Sequence, residues 1–218
     1  MSKYRGSLPQ LGNGIFLTDG GLETTLIFHD GISLPFFAAF DLLKDEKGRQ
    51  VLRRYFERYA SIARSQEVGL VLETATWRAN RDWAEKLGYG APALADANRR
   101  SVQLLLEIRK AFETPRTRIV ISGNLGPRGD GYRPGTQMNA EQAQAYHAEQ
   151  IEVFAGTDAD LVAALTLNYT EEAIGVVRAA RAAGMPVVIS FTTETDGQLP
   201  SGEALRAAII RTDNATDG

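Results

Sequence analysis

Side chains able to do chemistry gather at a few points in this chain, each just after a short apolar run. The first is Asp19-Gly20-Gly21. Its glycines let backbone amides approach a ligand closely, and its carboxylate could hold an ammonium group. The same tripeptide also reads as a plain tight turn. The second point holds Glu73, Thr74, Thr76 and Trp77. Alternation along a strand puts Thr74 and Thr76 on one face, Glu73 and Trp77 on the other. Inward threonines would offer hydroxyls to a ligand carboxylate or amine. With the parity reversed, Glu73 and Asp19 are two carboxylates in one mouth, an acid–base pair in principle. The sequence leaves this parity open. The third point is the loop Asn124-Leu125-Gly126-Pro127-Arg128-Gly129, which lacks the Lys-Ser/Thr ending of a phosphate-binding P-loop. Thr166 with Asn168, and then Thr192-Thr193-Glu194, complete the series.

The chain has two histidines and no cysteine. His147 falls on a helical stretch and is expected at the surface, and His29 in a solvated loop. Two scattered histidines make no metal site, and no serine–histidine nucleophile pair stands out.

The elements that must position these residues follow one pattern. Five short runs rich in branched apolar residues, at 14–18, 69–74, 118–123, 160–166 and 186–191, read as strands buried on both faces. Between them lie helical periodicities. Val51, Leu52, Tyr55, Phe56, Tyr59 and Ile62 share a face from about Glu46 to Ser65, and Val102, Leu105, Ile108 and Phe112 share one beginning near Asp96. Asn139, with Gln142 three residues on, predicts a capped helix through Phe154. Thr170 and Ser201 are expected to cap two more. Five βα units give a doubly wound sheet or a (β/α)8 barrel. Polar or glycine-rich residues follow nearly every strand rather than one switch point, which favours the barrel. The expectation is an α/β fold of TIM-barrel type, a single domain over residues 1–218 that lacks strands six to eight.

Composition narrows the function classes. The net charge is −3 with both signs dispersed, so no basic footprint for nucleic acid is present. No apolar run reaches membrane-spanning length, and the polar N-terminus lacks a signal-peptide core. The expectation is a cytoplasmic protein without nucleic-acid or membrane partners.

Taken together, these segments resemble the homocysteine S-methyltransferase family. The matching pieces are Thr18 to Leu26, Glu73 to Asn80, Gly123 to Pro127, Leu165-Thr166 with Glu172-Ala173, and Ser190-Phe191-Thr192 with Asp196 to Gly202. They stand in the family's order and near its spacing. The resemblance implies a (β/α)8 barrel that moves a methyl group to the sulfur of homocysteine. It also implies zinc, held by three cysteines beyond the fifth strand, that stabilises the substrate thiolate. Carried onto this chain, Asp19, Gly20 and Gly21 would hold the amino-acid end of the substrate, and Thr74, Thr76, Trp77, Gly126 and Thr166 would line its pocket. The glutamate that many members place near the end of the fourth strand is Leu165 here.

On this reading the chain is the N-terminal five-eighths of the barrel. No zinc, no metal ligand and no catalytic residue is expected in it, and it is expected to be inactive as it stands. Its partners would be a small thiol and a methyl donor, with homo-oligomers possible through the open barrel edges. Two alternatives stay open. One is a non-catalytic barrel that binds an amino acid or a partner chain. The other is a metal-free lyase using Asp19 and Glu73.

Overall fold

A computed structural model describes residues 2–217. Met1 and Gly218, the ends of the expected domain, lie outside the described residues. The five apolar runs form strands β1 (Phe16–Thr18), β2 (Gly69–Glu73), β3 (Ile119–Leu125), β4 (Leu161–Leu167) and β5 (Val187–Phe191). All are parallel and hydrogen-bonded in the order β1-β2-β3-β4-β5. Each βα unit therefore lays its strand beside the previous one in the same direction. A doubly wound sheet must reverse that direction once. No reversal occurs, and the five strands form a half-barrel of TIM type.

The helices are α1 (Leu22–Thr24), α2 (Glu46–Ser65), α3 (Arg81–Glu85), α4 (Ala91–Phe112), α5 (Ala140–Ala155), α6 (Thr170–Ala182) and α7 (Leu205–Thr216). Asp45 caps α2 by accepting from Gly48 N, and Asn139 with Gln142 forms a full capping box on α5. Three helix starts differ from expectation. Helix α4 begins at Ala91 rather than near Asp96, since Gly90 and Pro92 suit a helix entry. Thr170 is the first helical residue instead of the cap, and its hydroxyl donates to Glu203. Helix α7 begins at Leu205, because Ala204 is held in a bridge to Gln198.

Strand parity divides the core in two. Leu70, Leu72, Ile119, Ile121, Val162 and Ala164 face the helices and pack with Leu52, Phe56, Leu105, Ile108, Ile151 and Phe154. Each fully buried Val, Leu, Ile or Phe among them contributes about 1.5–3 kcal/mol relative to exposure. Val71, Val120 and Leu161 point inside the half-barrel, where Tyr4, Leu8 and Phe16 cover them at the N-terminal end of the strands. Asp160 fastens this plug. Its carboxylate accepts from Tyr4 N (2.8 Å), Ile121 N (2.9 Å) and Arg109 Nη1 (2.6 Å). Asp160 is fully buried, and these three donors compensate its desolvation.

Among the described residues no helix is long and apolar enough to cross a membrane.

Candidate functional site

The C-terminal ends of the strands enclose a cavity of about 470 Å³. Its floor follows from the parity of β2. Glu73 lies on the face of Val71, so it points inward, beneath the mouth. Asp19 reaches the same cavity from the end of β1, and Glu23 from α1. The loop after β3 supplies Asp130 and Tyr132, and the turn after the first helix supplies Phe37.

The carboxyls are unusual. Burial pushes Asp19 up to about 7, and nearby Glu23 adds to this, while the hydroxyl of Tyr55, 3.1 Å from Asp19 Oδ2, opposes it. Burial likewise raises Glu73 to about 8, with Asp19 adding repulsion. Glu73 Oε2 is shielded from water and has no hydrogen-bond partner. Burial also raises Glu23, and Arg78 partly offsets the shift. Desolvation disfavours the charged form of each group.

The threonines just past β2 have a different role from a simple pocket lining. Asn124 N donates to Thr74 Oγ1 (2.8 Å), the two threonine hydroxyls are 2.6 Å apart, and Thr76 Oγ1 donates to Asn124 O (2.7 Å). The ring closes only if Thr74 donates to Thr76, so every proton in it is used. It ties the end of β2 to β3. Thr74 still borders the cavity, whereas Thr76, fully buried, does not.

Trp77 lines the cavity and donates from Nε1 to Thr166 Oγ1 (3.0 Å). Thr166 sits at a register shift in β4 with φ of +60°, a costly conformation for a β-branched residue. Its hydroxyl donates to Leu165 O. Gly126 stands behind Trp77 rather than in the cavity. A Cβ there would lie 2.2 Å from Trp77 O, so only glycine permits this approach. Gly20 and Gly21 border the cavity beside Asp19. The structure thus brings Asp19, Gly20, Gly21, Thr74, Trp77 and Thr166 to one mouth and leaves Thr76 and Gly126 in its supporting wall. Leu165 lines the mouth as an apolar surface.

Arg78 was not singled out by sequence, yet it lines the same cavity. Its guanidinium lies 4.0 Å from the ring centroids of both Trp77 and Trp83. An arginine between two tryptophans five and one residues away was the available signal. Tyr55, which braces Asp19, carries in the sequence only the signature of a core position on α2.

His147 is a correction. It is buried, not at the surface, and its Nε2 lies 2.9 Å from Glu172 Oε1, which also accepts from Arg128 N. His29 is exposed.

The zinc implied by the resemblance does not fit the residues present. The sequence has no cysteine, and no three His, Asp or Glu side chains among the described residues stand together as metal ligands.

A search of curated proteins found no match. Among solved structures, the chain is similar to the homocysteine methyltransferase MmuM from Escherichia coli. The oxidized form matches at 20% identity and a TM-score of 0.78, over 99% of this chain and 74% of that one. The metallated form matches at 19% and 0.76, over 96% and 73%. At this identity the likeness establishes the fold. The homocysteine S-methyltransferase family pattern matches residues 16–217, nearly the whole length. By that match the chain belongs to the homocysteine S-methyltransferase family.

Proposed function

We propose that this chain binds a small thiol amino acid, homocysteine or a close relative, in the mouth formed by Asp19, Gly20, Gly21, Thr74, Trp77 and Thr166. The observation that carries this reading is the placement of an acidic cavity at the C-terminal strand ends of a family barrel. Asp19, with Gly20 and Gly21 beside it, would hold the amino-acid end of the substrate, Asp19 taking the ammonium. Thr166 and Leu165 would border the aliphatic stem.

A free thiol has a pKa near ~8.5 and needs a cation or base to become a good nucleophile. No residue of this chain supplies a zinc thiolate site. The expectation is therefore binding without methyl transfer. Calorimetry with homocysteine should give a saturable heat. Incubation with homocysteine, zinc and S-methylmethionine or S-adenosylmethionine should yield no methionine by mass spectrometry. Methionine formed in repeated turnovers would overturn the inactive reading.

One observation favours a second reading. Asp19 and Glu73 line one cavity, and both hold protons near neutral pH. That is the equipment of a metal-free acid–base enzyme. It predicts turnover of some amino-acid substrate that Glu73→Gln abolishes while binding persists.

A further inference from the structure

Arg78 is a buried cation without a full set of partners. It is 5% exposed. Nη1 donates to Gly129 O at 2.8 Å. Its nearest carboxylate is Asp130, with Nη2 to Oδ2 at 3.9 Å, longer than a hydrogen bond, and Asp130 itself is half exposed. Nε is buried and has no partner. Burying a guanidinium is costly unless anions and acceptors meet it in good geometry, and buried donors are nearly always satisfied. Asp130 and Glu23 act on the group through space without a hydrogen bond to it, while its neighbours fix its position. Trp77 and Trp83 each pack a ring 4.0 Å from it, and the Gly129 carbonyl holds Nη1. A fixed, planar, incompletely paired guanidinium at a cavity wall is suited to a carboxylate from outside the chain.

The rest of the cavity says which kind of carboxylate. Asp19, Glu23 and Glu73 border it as well. Any of these carboxyls that ionises repels a simple anion and attracts an ammonium, which favours a ligand that also carries an amino group.

We propose that Arg78 is the residue that anchors the carboxylate of a zwitterionic amino acid in this mouth, and so sets its preference for amino acids over the corresponding amines. The proposal rests on the amino-acid-binding reading above and adds a specificity residue to it.

The test uses the protein's own fluorescence. The chain has two tryptophans. Both stack on Arg78, so intrinsic emission reports on this group directly. Emission is titrated with two matched pairs: homocysteine against 3-aminopropane-1-thiol, and methionine against 3-(methylthio)propylamine. Each pair differs only by the carboxylate. The expected result is that at least one amino acid binds about tenfold or more tighter than its amine, as loss of a charged hydrogen-bonded contact predicts. Arg78→Met, which keeps the stem, should erase that preference. Arg78→Lys, which keeps the charge without the fork, should retain part of it.

Equal affinities within both pairs for the unaltered protein would overturn the proposal without any variant. So would an Arg78→Met protein, folded by circular dichroism, that keeps the preference, or an absence of binding by both amino acids at millimolar concentration. An Arg78-dependent preference seen with methionine but not with homocysteine would uphold the anchor and remove homocysteine as the ligand.

Discussion

Asp19 and Glu73 sit where water is largely excluded, and each holds its proton far above the ordinary carboxylate range. In the unfolded chain both would ionise near pH 4. In the fold they ionise near 7 and 8. Between those limits the folded state binds more protons, so raising the pH must destabilise it. Their stabilising contribution is complete below pH 4 and is lost as pH climbs through 7 to 8. Urea denaturation at pH 5.5 and 8.5 should show a fall of several kcal/mol. Glu73→Gln should shrink that fall, and an unchanged fall would remove Glu73 as its source. The threonine ring makes a separate prediction. Thr76→Val leaves the Asn124 carbonyl and the Thr74 proton without their partners, a cost of about 1–3 kcal/mol read as a lower Tm. A merely pocket-lining threonine would lose binding instead, with Tm nearly unchanged.

At the scale of elements, Gly126 and Trp77 depend on each other. Gly126→Ala would drive a methyl group into the Trp77 carbonyl. The end of β2 must then shift, and Trp77 loses its bond to Thr166. The expected outcome is a loss of about 2 kcal/mol or more, together with a red-shifted tryptophan emission. A protein with wild-type Tm and spectrum would contradict the packing.

How much of this was readable follows from the physics of each element. The five strands were legible because both their faces are buried, which gives short unbroken apolar runs. The same property hid the parity of β2, since a run apolar on both faces has no phase. The sign came only from Glu73 lying in line with Val71. Helix α5 carries His147 and Gln150 on its buried face, so a polarity pattern placed His147 outside. Helix α3 is too short for any periodicity. Arg78 escaped notice because a single arginine in sequence looks like a solvated charge, and only the indoles on both sides show otherwise.

For the whole molecule, the open ends of the sheet matter most. Among the described residues β1 pairs only with β2 and β5 only with β4. Val188 on β5 and Ile209 and Ile210 on α7 are about half exposed. An unpaired edge beside apolar surface favours association with another chain. Light scattering of the isolated chain should show species larger than a monomer, and Val188→Lys should shift the population towards monomer. A wild-type protein that stays monomeric at high concentration would count against edge pairing.

The Asp160 contact has a consequence in time. Tyr4 and Asp160 are 156 positions apart. On a ribosome Tyr4 cannot find this partner until Asp160, just before the fourth strand, has emerged. Strands β1 to β3 need only their sequence neighbours, so they can assemble in order of synthesis. The plug must wait until a stretch of 156 positions has been made, and the loop it closes is the longest fastened by any side chain described above. Loop closure of that length is slow to reward. The base of the barrel is thus sealed late, and until then Val71 and Val120 stay open to water, chaperones and proteases.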